Sequence, residues 1–144
     1  MALDCVQDPG NVGTVIRSAD AFSVDGVFLL EGTADPYQPK VVRAAMGSIF
    51  RVPVYRVTTD TFFATMQKLS LPVYAAALSD QAEPIGKTDL GNSAMIVGNE
   101  GRGVRPETIA RADGTRIIPM SGNAESLNAA VAASILMWEM SRWR

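Results

Sequence analysis

Polar residues able to take part in chemistry fall in three short stretches of this 144-residue chain. The first, DPGNVGTVIRSADAF (8–22), offers Asn11 and Arg17. The second, IVGNEGRGV (96–104), sets Glu100 among glycines 98, 101 and 103. The third, IPMSGNAESLNAAVAASI (118–135), places Ser126 and Asn128 on either side of Leu127. What these groups could do is bounded by what is missing. The chain has no histidine and a single cysteine, Cys5, so the commonest metal ligand and general base is absent, and neither an intrachain disulfide nor a thiolate cluster can form. No bound metal is expected. Chemistry here has to run on carboxylate, amide, hydroxyl and guanidinium groups.

In the first stretch Val12, Val15, Ile16, Ala19 and Phe22 recur at helical spacing and form one apolar stripe. At about 100° per residue this leaves Arg17 on nearly the opposite side. Arg17 is then either a solvated side chain or a group offered to a ligand. Asn11, after Pro9 and Gly10, stands where an N-cap belongs. The glycine loop invites a phosphate-binding reading, but it matches neither G-x-G-x-x-G nor the Gly-Lys-Ser/Thr end of a P-loop. Glu100 in the middle of such a cradle would also repel a phosphate. A glycine loop carrying an acid suits a ligand with hydroxyls, amines or a positive charge, unless its glycines serve only a tight turn with positive φ. In the third stretch about seven polar residues separate a strand end from an apolar helix, where a plain turn needs two or three. Such an excess is usually functional or disordered, and Ser126 is placed to cap the helix.

The elements that must position these groups alternate along the chain. Strands are expected near Leu3–Val6, Val27–Leu30, Val54–Val57, Val73–Ala77, Ala94–Val97 and Arg116–Ile118. Helices fit Asn11–Ser23, Pro39–Gly47, Thr59–Leu69, Pro106–Ala112 and Leu127–Arg142, with Pro106 in a first helical turn and Thr59 or Asp60 as a cap. This pattern predicts an α/β fold with a mostly parallel sheet covered by helices on both faces. The three polar loops then lie at the C-terminal ends of strands, where ligands bind in open α/β sheets.

Composition sets wider limits. A chain of this length that is 47% hydrophobic can bury the core of one domain, spanning 1–144. It contains no apolar run of ~18 residues and no basic segment followed by an apolar one, so a soluble, cytoplasmic protein with no membrane partner is expected. The net charge of −2 argues against indiscriminate nucleic-acid binding. Yet ten of the thirteen basic residues are arginine, the better phosphate partner, which leaves RNA open. The helix over 127–142 is apolar around most of its circumference, more than one sheet face covers, so a second protein surface is expected on it, with Trp138 and Met140 as candidates for burial.

The three stretches, in this order and at these separations, together with ADPYQPKVVRAAMGSIFRVPV (34–54), resemble the SpoU (TrmH) branch of the SPOUT methyltransferases. These are RNA ribose 2′-O-methyltransferases that use S-adenosylmethionine. The resemblance covers nearly the whole chain. It implies a C-terminal deep trefoil knot, which no periodicity could reveal because knots are nearly absent from folds. It also implies that backbone around Gly98, Ile118 and Leu127, with Asn99 and Met120 nearby, holds the cofactor. Arg17 matches the family's catalytic arginine and Asn11 its motif-one asparagine, while Glu100, Ser126 and Asn128 match the remaining polar site residues. Methyl transfer to a ribose hydroxyl needs somewhere for the hydroxyl proton to go. Arginine is a poor base, with a pKa above ~12, so two roles for Arg17 stay open: proton acceptor, or electrostatic and phosphate-positioning group.

The same resemblance implies tRNA or rRNA as substrate, and the wide apolar face of helix 127–142, with Arg17 turned away from its own core, predicts a homodimer whose two-fold interface could bring Arg17 of one chain to the cofactor of the other. Arg102, Arg105 and Arg111, close to the glycine loop, are candidates to line a path for the RNA backbone. Two departures stand out. Ala129 follows Asn128 where the family usually has valine. Members also commonly carry an N-terminal RNA-binding extension, which this chain, beginning inside its first strand, is expected to lack. The alternative is a noncatalytic RNA-binding dimer module that kept the fold; such a protein should lose the polar motif residues first, and all of them stand here.

Overall fold

A computed structural model describes residues 1–144. Its seven strands are β1 (Ala2–Asp4), β2 (Val27–Leu29), β3 (Val54–Arg56), β4 (Val73–Ala76), β5 (Glu83–Pro84), β6 (Ala94–Gly98) and β7 (Gly114–Ile117). They form one sheet in the order β3-β2-β1-β6-β4-β7-β5, with every neighbouring pair parallel. The helices are α1 (Pro9–Ala21), α2 (Pro39–Ala45), α3 (Thr59–Lys68), α4 (Pro106–Ile109) and α5 (Ala129–Ser141), with a 3-10 turn at Ser48–Phe50 after α2.

Side chains alternate across the sheet and divide the core in two. Leu3, Met95 and Val97 face α1, α2 and α5, while Ala2, Ala94 and Ile96 face α3 and α4. Every residue of β6 is therefore buried, as a central parallel strand must be when both faces are covered. Helices α1 and α2 approach closely because residue 13 is glycine: a Cβ there would lie 2.5 Å from the Ala44 Cβ and 2.6 Å from the Val41 carbonyl oxygen. No helix is long and apolar enough to cross a membrane.

The chain leaves the adjacent strands β1 and β6 in opposite directions. β1 continues through α1 to β2 on one side, and β6 continues through α4 to β7 on the other. With α1 and α4 on opposite faces, β1 and β6 form the topological switch point of an open α/β sheet, and the loops that follow them are bridged there by hydrogen bonds from Asn99 to the Cys5 carbonyl and from the Asp8 N–H to Glu100.

Several element ends differ from the sequence reading. β1 stops at Asp4 because Cys5 takes φ +56°, outside the strand region. The cap of α1 is Asp8, whose carboxylate accepts the Gly10 N–H at 2.6 Å, with Pro9 in the first turn; Asn11 lies inside the helix. Asn128, not Ser126, caps α5, accepting the N–H groups of Ala130 at 2.9 Å and Val131 at 3.2 Å. Thr58, not Thr59 or Asp60, caps α3. Helix α2 closes on Met46 in the left-handed region at φ +50°. Pro106 does open α4. The edge strand β5, two residues long and ending in proline, has no counterpart in the sequence reading.

Candidate active site at the strand ends

A cavity of about 430 Å³ opens at the C-terminal ends of β4, β6 and β7, within the range of small-ligand sites. The glycine loop, the loop 118–127 and the first turns of α5 surround it. Gly98, Asn99, Glu100, Ile118, Met120, Ser126 and Leu127 all line it.

The glycine loop is closed on itself. Asn99 and Gly103 exchange backbone hydrogen bonds of 2.9 Å in both directions. The Asn99 side-chain oxygen accepts the N–H groups of Gly101 at 3.0 Å and Arg102 at 3.1 Å, while its amide donates to the Cys5 carbonyl at 2.8 Å. The loop's amides are thus spent internally, and no ring of free N–H groups remains to cradle a phosphate. Gly98 is required by the loop itself, since a Cβ there would meet Gly103 and Val104 backbone at 2.0 Å. Gly103, at φ +70°, supplies the left-handed turn.

A polar chain ties the three stretches together. The Glu100 carboxylate accepts the Asp8 N–H and the Asn11 amide, each at 3.1 Å, and the Gln7 N–H at 3.4 Å. The Asn11 oxygen in turn accepts the Asn128 amide at 3.0 Å. Burial pushes the Glu100 carboxyl up, but these donors outweigh it and hold it below the ordinary carboxylate range. The acid in the glycine loop therefore has the protein's own N–H groups as its first partners.

Arg17 stands apart. It is exposed on α1 and does not line the cavity. The next residue, Ser18, bonds Ser134 of α5 at 2.8 Å. Of the three arginines near the glycine loop, only Arg102 is free. Arg105 is held by the fully buried Asp4 at 2.7 Å, by Glu31 at 3.3 Å and by Thr59 at 2.8 Å. Arg111 pairs with Asp60 at 2.6 Å and covers the Phe63 ring. Both are thus engaged with carboxylates of the fold, whereas Arg102 has no such partner. Met140 is buried within its own protomer, whereas Trp138 is 48% exposed.

Sequence reasoning missed the loop after β4. Ala76, Ala77 and Leu78 form a wall of the cavity and Glu125 sits at its rim. The pointer to them was β4's place between β6 and β7, which period and polarity do not reveal.

A parallel α/β sheet with a ligand-sized cavity at the C-terminal ends of three of its strands, walled by an amide-closed glycine loop, defines a class of ligand-binding α/β domain. Residues 1–138 match the SpoU rRNA Methylase family. The chain belongs to that family. It is 41% identical over 97% of its length to the 23S rRNA (guanosine(2553)-2′-O)-methyltransferase RlmP of Bacillus subtilis, covering 56% of that protein. Among solved structures, it resembles an AdoMet-bound rRNA methyltransferase from Sinorhizobium meliloti, with a TM-score of 0.89 at 38% identity, over 98% of this chain and 54% of the other. The SpoU methyltransferase AviRb from Streptomyces viridochromogenes superposes with a TM-score of 0.87 at 32% identity, over 98% of this chain and 57% of the other. The chain thus spans a little over half the length of these relatives.

Proposed function

We propose that the protein transfers a methyl group from S-adenosylmethionine to a ribose 2′-hydroxyl of tRNA or rRNA. The observation that carries this reading is the Glu100–Asn11–Asn128 chain, which joins all three motifs beside one cavity. The cavity fits such a cofactor. Val97, Ile118, Leu127 and Ala129 supply apolar wall for a purine, and the internally spent loop amides disfavour the phosphates of ATP or NAD. Backbone around Gly98, Ile118 and Leu127, with Asn99 and Met120, would hold it. When bound, the cofactor supplies an electrophilic sulfonium methyl. Asn11, Glu100 and Asn128 fix the loops around the reacting groups, and Ser126 offers a hydroxyl at the cavity wall. Arg17 is exposed and touches no carboxylate, so its donor fork is free to stabilise an alkoxide developing on the ribose oxygen.

A homodimer completes the proposal. Val131 and Trp138, 47% and 48% exposed, lie on one side of α5, and the bond from Ser18 to Ser134 sets Arg17 close to that side. A two-fold interface there would carry Arg17 to the partner's cavity. Light scattering that finds only a 15.4 kDa species overturns this arrangement.

Calorimetry with S-adenosylmethionine and its demethylated product, beside ATP and NAD, tests the cofactor; uptake of the first pair alone is expected. Tritium transfer into RNA, followed by nuclease digestion to a 2′-O-methylated nucleoside, tests the reaction. In the full-length protein Arg17→Ala should abolish turnover and leave cofactor affinity nearly intact, as for a group acting mainly in the transition state. Full activity in that variant would remove Arg17 from the mechanism.

A further inference from the structure

We propose that the outer surface of α2 and the following 3-10 turn is a stacking platform for single-stranded RNA flanking the methylated nucleotide. The inference rests on the RNA-methyltransferase reading above. Three large apolar side chains stand in water here: Tyr37 at 72% exposure, Met46 at 66% and Phe50 at 86%. Between Asp35 and Asp60 the chain has no acidic residue but carries Lys40, Arg43, Arg51 and Arg56. This is its longest acid-free run, in a protein of net charge −2. Lys40, Arg51 and Arg56 lean on Asp8, Asp20 and Asp35 at the patch edge, whereas Arg43 is exposed and free of any acidic partner. Aromatic faces interleaved with guanidinium groups are what unpaired bases and their phosphates bind.

The backbone adds an independent observation. Met46 ends α2 in the left-handed region at φ +50°, a place glycine normally fills because a side chain there is strained. A bulky thioether held exposed at a strained position is unexplained by packing, and such outliers cluster at functional sites.

In the proposed dimer, where Arg17 reaches the partner's cavity, the patch also adjoins that site. At 100° per residue Gly10, Gly13, Arg17 and Asp20 share a stripe of α1 about 80° wide. Gly10 lies under Lys40, Gly13 under Ala44, and Asp20 bonds Ser48 and Arg51. Arg17 therefore borders α2 and the 3-10 turn. A second copy of this chain is the poorer occupant, because a two-fold contact would set like charges against each other; the uncharged α5 face suits that role.

The test uses fluorescence anisotropy with a short labelled oligoadenylate. Phe50→Ala should weaken binding roughly tenfold. Met46→Gly should weaken it as well, while leaving thermal stability unchanged or higher because it relieves the left-handed strain. Arg43→Ala should lower the slope of log affinity against log salt by about 0.7, the value for one phosphate on a single strand. Ultraviolet cross-linking followed by trypsin should leave a nucleotide on the peptide Ala44–Arg51, which carries both Met46 and Phe50. The proposal falls if the parent protein binds no oligoadenylate, if the variants bind as tightly as the parent, or if cross-links lie only elsewhere. It also falls if Phe50→Ala changes the number of copies in light scattering without changing RNA affinity. Failure of the methyltransferase reading would show instead as no uptake of S-adenosylmethionine by the parent, a result the oligoadenylate titrations do not depend on.

Discussion

The glycine loop and the loop 118–127 face each other across one cavity, yet they are held in opposite ways. The first is braced by the Asn99 side chain, by the exchange with Gly103 and by the donors on Glu100. Its shape exists before any ligand arrives. The second is anchored at its ends, by β7 and by the Asn128 cap of α5, and Pro119 to Leu127 make no hydrogen bond within the protomer. One wall is preformed and the other is free to close on what binds. Changes in the first wall should therefore act on stability as well as binding, and changes in the second on binding alone.

The largest effect should come from Gly98→Val. Its Cβ would strike Gly103 and Val104 backbone, so urea unfolding should show a loss of about 3 kcal/mol or more together with lost cofactor uptake. Unchanged stability would mean that the glycine serves a ligand's approach instead. Asn99→Ala removes three hydrogen bonds to backbone and should cost about 2–3 kcal/mol by the same measure.

Acid should expose the same contrast more gently. The Glu100 carboxyl is held below its usual 4.5 in the folded protein. Its stabilising contribution is thus present above that value and lost as pH falls through the lowered one. A urea-midpoint series from about pH 6 downwards should fall less steeply for Glu100→Gln than for the parent below about pH 4.5; parallel curves would mean that the clamp is not carried by the charged form. The smallest effect on stability should come from Met120→Ala in the open loop, within about 0.5 kcal/mol of the parent, with cofactor affinity reduced several-fold in calorimetry.

The sequence was legible where one period dominates. The α1 stripe of Val12, Val15, Ile16 and Ala19 and the apolar run of β6 sit where their patterns put them. Helix starts were harder, because Asp8 and Asn11, or Ser126 and Asn128, are equally good caps by type. Pro9, suited to a first turn, was the signal favouring Asp8. β5 escaped because Glu83 and Pro84 are too few to show alternation and proline argues against a central strand. At the site, the residue types were readable but several of their partners were not. Asn99 looked like a cofactor neighbour, while its hydrogen bonds close the loop and reach Cys5, 94 positions away. Knotting, too, is a matter of chain path, on which hydrophobic period is silent.

That long reach has a consequence during synthesis. β1 pairs with β2 on one edge and with β6 on the other, and β6 begins at Ala94. A ribosome adding about 5–20 residues per second leaves the second edge of β1 bare for roughly 5–20 s while the intervening residues are made. Asn11 waits longer still, for Asn128, 117 positions on. Through that interval the nascent chain carries an open, apolar strand edge of the kind that captures other strands, so conditions that slow elongation after β3 should favour aggregation of the unfinished protein.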